Sequence, residues 1–131
     1  MSESWAELAK RYYEKAEVLS KEAEKDEEIG AYNKAVSAHY FRVEAMANAL
    51  FALKKQKTRG FAGRKALIRE FFGPEAELDF MRLHELRDLA DHKADILGPE
   101  ELMRAKELSN KLYPMIKSRV EEELKKVGIL R

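Results

Sequence analysis

Glycine and proline interrupt this chain at only a few points, and the segments between them favour helix. Six of the 131 residues are glycine and three are proline, while 37% are charged. Alanine, leucine, glutamate and lysine, all good helix formers, fill the intervening segments. The interruptions predict five helices: from Ser4 to between Glu24 and Gly30, from Ala31 to about Lys57, Arg64 to Phe72, about Glu75 to Ile96, and onwards from Gly98-Pro99 with an interruption at Pro114.

Apolar residues recur at three- and four-residue steps in these segments, which indicates amphipathic helices. Trp5, Leu8, Ala9, Tyr12, Ala16 and Leu19 form such a stripe in the first segment, and Ser4 with Glu7 forms a capping-box pattern at its start. Four long helices and one short helix predict an all-α protein, an antiparallel four-helix up-and-down bundle with a short additional helix. We expect a single domain over residues 1–131.

Composition excludes several classes of site. Cysteine is absent, so disulfides, thiolate zinc sites and thiol nucleophiles are excluded. No apolar run approaches the roughly 18 residues that span a bilayer, and the first residues lack a signal-peptide core. We therefore expect a cytoplasmic protein with no membrane contact. His39, alone in the second helix, is expected to be a packed core residue.

A block of basic residues follows the second helix. Between Lys54 and Arg69 the chain has seven basic residues and no acid, although the net charge is only +1. Such a block can attract phosphate groups, and it can equally be a solvated helix end and loop. The candidate RNA-binding residues are Lys54, Lys55, Lys57, Arg59, Arg64 and Lys65.

The stretch from His84 to His92 contains two histidines, an arginine and two aspartates on one predicted helix. A rotation of about 100° per residue gathers Leu83, Leu86, Leu89, Ala90 and Leu97 on a side that we expect to be buried. The same rotation gathers His84, Arg87, Asp88, Asp91, His92 and Asp95 on the other side. This polar side is either a functional site or a hydrated face. In the second case Arg87–Asp91 and Asp88–His92 form local ion pairs at four-residue spacing.

Metal binding by this stretch is disfavoured. His84 and His92 are eight residues apart, or about 12 Å along a helix, whereas metal ligands lie about 2 Å from the ion. We therefore predict no metal site and no cofactor. No Gly-x-Ser-x-Gly or glycine-rich phosphate loop is present either.

Acid–base chemistry on a phosphodiester is the remaining possibility. Histidine moves protons near neutral pH, and arginine offers a cationic fork to phosphate. Five residues along a regular helix separate Arg87 from His92 by about 7.5 Å and about 140° of rotation. The two side chains converge only if the helix ends near His92 or if a two-fold partner lies alongside. A homodimer through this helix is therefore expected.

The segment from Arg87 to His92, Arg-Asp-Leu-Ala-Asp-His, resembles the Arg-x4-6-His motif of HEPN domains. The resemblance extends to the long second helix, the short third helix and the last helix after the motif. It implies a helical-bundle dimer with the motif at a cleft between protomers. It further implies a metal-independent endoribonuclease of the toxin–antitoxin or defence type, often beside a minimal nucleotidyltransferase. Arg87 is then expected to bind the scissile phosphate, His92 to assist attack by the ribose 2′-hydroxyl, and Asp88 to orient the pair.

Two positions depart from the patterns of this family. The branch with Arg-x-x-Ala-Asp-Tyr is matched at Arg87, Ala90 and Asp91, but His92 stands at its tyrosine position. In the toxin branch a tyrosine two residues after the histidine can be adenylylated, and this chain has Ala94 there. The alternative is therefore a non-catalytic HEPN module that binds a nucleotide or a partner nucleotidyltransferase.

Overall fold

The computed structural model describes residues 4–57 and 60–130, and these residues form five helices. Helix α1 is Trp5–Glu28, α2 is Tyr32–Leu53, α3 is Gly60–Phe72, α4 is Pro74–His92 and α5 is Pro99–Lys126. The described ranges contain no strand, which confirms the predicted all-α class. The same ranges contain no helix that is long and apolar enough to cross a membrane. The four-helix up-and-down order and the single domain stay predictions.

Helix α2 is the centre of the packing. It contacts all four other helices, and most of its residues are buried. The buried residues of α1 are Ala9, Ala16 and Ala23, one every two turns. Their small side chains allow the α1 backbone to approach a neighbouring helix closely. The larger members of the predicted stripe are only partly buried, which corrects the expectation that they form the main buried face: Trp5, Leu8, Tyr12 and Leu19.

The starts of α1, α4 and α5 follow the sequence signals closely. Ser4 Oγ accepts a hydrogen bond from the Glu7 backbone N–H at 3.1 Å, as the capping pattern predicts. Helices α4 and α5 begin at Pro74 and Pro99. A proline suits the first turn because its missing N–H has no partner inside the helix there. Pro114 lies exposed inside α5, which continues through it without the predicted interruption.

Three other boundaries differ from the prediction. Helix α2 ends at Leu53, four residues early, in a turn where Lys55 takes the left-handed conformation with φ of 57°. Helix α3 begins at Gly60 instead of Arg64. Helix α4 ends at His92 instead of Ile96. The last difference matters most because it fixes the end of the helix that carries the polar stretch.

His39 is part of the core, as expected. It is 4% exposed, and its Nε2 lies 3.3 Å from Glu27 Oε1. Its Nδ1 has no hydrogen-bond partner. Burial lowers the pKa of His39, and the nearby Glu27 opposes that shift only in part.

Candidate functional site

Asn33 of α2 fixes the C-terminal end of α4. Its Nδ2 donates to the carbonyl oxygens of Ala90 and Asp95, both at 3.1 Å, and its Oδ1 accepts from the Leu97 N–H at 2.9 Å. Lys93, directly after the helix, has an extended backbone with ψ of 165°. The side chain thus gives these backbone groups partners that a continuing helix would otherwise supply. Asn33 carried no signal in the sequence, because its partners lie 57, 62 and 64 residues away.

Arg87 lies on two aromatic rings of α2. Its guanidinium carbon is 5.1 Å from the ring centre of Phe41 and 5.7 Å from that of Tyr40. The side chain is 22% exposed and forms ion pairs with Asp88 at 3.5 Å and Asp91 at 3.2 Å. The second contact starts at Nε, which is buried and has no partner with hydrogen-bond geometry among the residues that the structure describes. The charge of Arg87 is therefore balanced by two carboxylates of its own helix.

Asp91 connects this arginine to α2. Ser37 Oγ donates a hydrogen bond to Asp91 Oδ1, while Asp91 Oδ2 faces Arg87. The sequence placed Asp91 on the polar face but gave no indication of Ser37. A groove of about 530 Å³ opens beside Asp91, and Glu22 and Asp26 also line it. These acids make that groove unfavourable for phosphate.

Asp88 faces His84 as well as Arg87. The distance from Asp88 Oδ2 to His84 Nδ1 is 3.7 Å. The His84 ring stacks on Phe61 with 3.8 Å between ring centres, and burial lowers its pKa. Among the described residues no ion pair joins Asp88 to His92. The Arg87–Asp91 pair expected from four-residue spacing is present, whereas the expected Asp88–His92 pair is not.

His92 is exposed at the last position of α4. The helix end satisfies one of the two conditions under which Arg87 and His92 could converge on one target. The side chain of Arg87 is held by contacts with α2 and with its own helix, and that of His92 extends into solvent. An imidazole at the surface can exchange protons with a bound phosphodiester. In residues 4–57 and 60–130 no group of three or more potential metal ligands is found.

The residues of the predicted basic block have different surroundings in the structure. Lys54 lies 3.9 Å from Glu123, and Arg64 lies 3.6 Å from Glu44 and donates to Asn48. Their charges are therefore partly neutralised. Lys55 and Lys57 are exposed after the end of α2, and Lys65 is partly buried on α3. Arg59 lies outside the described residues.

No protein-family model matches the chain, and no curated protein matches it. The resemblance to HEPN domains therefore depends on the Arg87–His92 motif and on the helix pattern. It stays a prediction.

Proposed function

We propose that this chain is a HEPN-type helical bundle that cleaves RNA without a metal ion. The observation that carries the proposal is the end of α4. There a partly buried arginine lies five residues before an exposed, helix-terminating histidine. A guanidinium carries several charged N–H donors, and a phosphate oxygen is a strong acceptor for them. The proposal includes a homodimer through α4, with the toxin–antitoxin or defence role that the resemblance implies.

Two side chains, His92 and Arg87, act in the proposed cleavage reaction. His92 takes the proton of a ribose 2′-hydroxyl as its oxygen attacks phosphorus. Arg87 stabilises the charge that grows on the phosphate oxygens. The P–O5′ bond then breaks, the departing oxygen takes a proton from water to become a 5′-hydroxyl, and His92 returns its proton to solvent. Asp88 and Asp91 hold the guanidinium in place against α2 and act as positioning residues.

The test is cleavage of single-stranded RNA by the purified protein in EDTA. We expect a 2′,3′-cyclic phosphate and a 5′-hydroxyl as products, and no cleavage of DNA of the same sequence. Arg87→Ala and His92→Ala should each reduce the rate at least about 100-fold, in line with the loss of one acid–base or charge-stabilising group. Glu100→Ala, at an exposed position on α5, is the control and should cleave normally. Intact RNA, or cleavage unchanged in the double variant, would contradict the proposal.

The exposed lysines after α2 give a separate test of RNA binding. Neutralising Lys55 and Lys57 with glutamine should weaken affinity for RNA and make it less dependent on salt, since fewer counterions are released. The matched control replaces Lys10 and Lys21, which are exposed on α1. Equal effects of the two double variants would show that the block after α2 has no special part in binding.

A second candidate function is a non-catalytic module that binds a nucleotide or a partner nucleotidyltransferase. The two ion pairs of Arg87 favour it, because they already neutralise much of the charge that catalysis needs. This candidate predicts binding of a nucleotide or of the nucleotidyltransferase with no RNA cleavage. Calorimetric titration of the protein with each would distinguish it from the nuclease.

A further inference from the structure

A groove between α1 and α2 consists of two neighbouring cavities that share Tyr12 and Asn48 in their linings. The cavities have volumes of about 250 Å³ and about 290 Å³. We call the two together the α1–α2 groove, and the residues that line it include Trp5, Tyr12, Lys15, Phe41, Asn48 and Lys57. From Phe41 to Ala52 the groove follows α2 for about 16 Å, which is the length of a few nucleotides.

Aromatic rings lie along both sides of the α1–α2 groove. Trp5 and Tyr12 belong to α1 and Phe41 belongs to α2, and all three are partly buried side chains that pack against the core. Between them the groove is lined by two small buried residues of α2, Ala45 and Ala52. A partly exposed ring in a groove can stack on a nucleobase, and such stacking accepts any base because each has a π-face.

The lining of the α1–α2 groove carries more positive than negative charge. Lys15 and Lys57 are exposed, and in residues 4–57 and 60–130 neither of them forms an ion pair. Glu44 also lines the groove, but its carboxylate accepts a hydrogen bond from the Tyr40 hydroxyl at 2.8 Å and lies 3.6 Å from Arg64. The charge of Glu44 is therefore partly balanced. Cations for phosphates thus lie beside rings for bases, the combination by which proteins bind single-stranded nucleic acid.

Asn48 adds a hydrogen-bond donor to the α1–α2 groove. It is 7% exposed and lines both cavities. Arg64 Nε donates to Asn48 Oδ1 at 3.0 Å, and this contact fixes the orientation of the amide because arginine cannot accept a hydrogen bond. Among the residues that the structure describes, Asn48 Nδ2 has no hydrogen-bond partner. An oxygen of a base or a ribose in the groove is a suitable acceptor for it.

The α1–α2 groove meets the proposed site at one end. Phe41 lines that end, and the guanidinium carbon of Arg87 lies 5.1 Å from the centre of the Phe41 ring. On the other side of Phe41 lies the cavity lined by Glu22, Asp26 and Asp91, whose charges repel phosphate. A strand with its scissile phosphate at Arg87 is therefore directed into the α1–α2 groove and away from these acids.

We propose that the α1–α2 groove binds single-stranded RNA on one side of the bond that is cleaved. Trp5 and Tyr12 stack on bases, and Lys15 and Lys57 contact phosphates. A duplex does not fit this description, because its bases are paired and stacked on one another. The proposal rests on the proposed function for RNA as the ligand, and it leaves α4 free for the homodimer.

Trp5 is the only tryptophan of the chain, so its fluorescence reports whether the α1–α2 groove is occupied. The probe is a single-stranded 2′-O-methyl RNA, which cannot be cleaved because its 2′-oxygen is blocked. We expect this probe to quench the fluorescence, and a duplex of the same sequence to bind at least about tenfold more weakly. The absence of quenching, or equal affinity for the single strand and the duplex, would overturn the proposal.

Substitution of an aromatic residue tests the stacking. Tyr12→Ala should weaken binding of the probe by about 5- to 100-fold, the range expected for the loss of one base–aromatic contact. Tyr32→Ala is the matched control, because Tyr32 is also a partly buried tyrosine packed against the core but does not line the groove. Equal affinities of the two variants for the probe would contradict the stacking.

Neutralisation of single lysines tests the phosphate contacts without disturbing the fold, because all the lysines concerned are exposed. Lys15→Gln and Lys57→Gln should each weaken binding of the probe and make it less dependent on salt. Lys10→Gln on α1 and Lys55→Gln after α2 are the matched controls, since neither residue lines the groove. Effects of the same size in the groove variants and in their controls would overturn the proposal.

Binding of the probe and cleavage of RNA are separate measurements. If the probe binds in the groove but the protein cleaves no RNA, the nuclease fails and the groove stands. If RNA is cleaved in EDTA while the groove variants bind the probe as the wild-type protein does, the groove fails and the nuclease stands.

Discussion

Two arginines on neighbouring helices both lie over aromatic rings but have very different polar partners. Arg42 of α2 donates from Nε to Ser109 Oγ at 2.7 Å, from Nη2 to Asn110 Oδ1 at 2.7 Å and from Nη1 to Ser20 Oγ at 3.4 Å. Its guanidinium carbon lies 4.3 Å from the centre of the Tyr113 ring. Arg87 of α4 also lies over aromatic rings, but its polar contacts are two carboxylates of its own helix.

The difference separates a structural arginine from a candidate functional one. The three nitrogens of Arg42 have hydrogen-bond partners on α1 and α5, so the side chain joins three helices. Arg87 joins α4 to α2, and among the residues that the structure describes its Nε–H has no partner with hydrogen-bond geometry. Arg87 is therefore held by aromatic and ionic contacts and not by a set of hydrogen bonds that joins three helices. The comparison therefore predicts that Arg42 contributes to stability and Arg87 to function.

The largest expected effect is at Arg42. Arg42→Ala removes three hydrogen bonds and the contact with Tyr113, and should lower the free energy of unfolding by about 2–4 kcal/mol. Urea denaturation of the wild-type and Arg42→Ala proteins measures this loss of free energy. A loss below about 0.5 kcal/mol, the range of ordinary surface substitutions, would show that the three bonds do not hold the helices together.

A somewhat smaller effect is expected at Asn33. Asn33→Ala leaves the carbonyls of Ala90 and Asp95 and the N–H of Leu97 without their partner, at a cost of about 1–3 kcal/mol. Hydrogen exchange should show faster opening at the end of α4 and the segment after it than in α2. Uniform protection across the molecule would contradict the assignment of Asn33 as the residue that ends α4.

The pH dependence of stability should come in part from His39. Burial holds its pKa in the folded protein below the ordinary value of 6.5, so the unfolded chain binds more protons near and below that pH. Protonation of His39 does not change the free energy of unfolding well above pH 6.5, where the histidine is neutral in both states. The free energy then falls as the pH decreases, by at most about 1.4 kcal/mol per pH unit for one proton. Lys106 and Arg42 oppose protonation, and Glu27 favours it.

Replacement of His39 isolates this contribution. His39→Gln should reduce the loss of stability between pH 7 and pH 5 in urea denaturation, although His84, whose pKa burial also lowers, will retain part of it. An unchanged slope would mean that His39 takes up its proton as readily in the folded protein as in the unfolded chain.

The starts of α1, α4 and α5 could be predicted from the sequence, because their causes are local. Ser4 with Glu7, and the prolines that open α4 and α5, act within one turn of helix. The end of α4 could not be predicted, since it depends on Asn33 in another helix. For the same reason the helix predicted from the sequence continued to Ile96.

The sequence predicted which residues lie on the polar face of α4, but not which contacts they form. Helical rotation placed Arg87, Asp88 and Asp91 on one face, and the Arg87–Asp91 ion pair follows from its four-residue spacing, whereas the pair between the adjacent residues Arg87 and Asp88 does not. Asp88 has a histidine four residues away on each side, so spacing alone could not decide that it faces His84 and not His92. Ser37 and the aromatic support of Arg87 come from α2, and only the packing of the helices brings them there.

The most direct measurement compares Arg42→Lys and Arg87→Lys for both stability and RNA cleavage in EDTA. Lysine keeps the charge but loses the fork of donors that either arginine uses. We predict that Arg42→Lys is clearly less stable yet cleaves RNA normally per folded molecule. Arg87→Lys should keep its stability within about 1 kcal/mol and lose most of its cleavage. Equal losses of stability in the two variants, with cleavage unaffected by Arg87→Lys, would contradict the assignment of Arg87 to function.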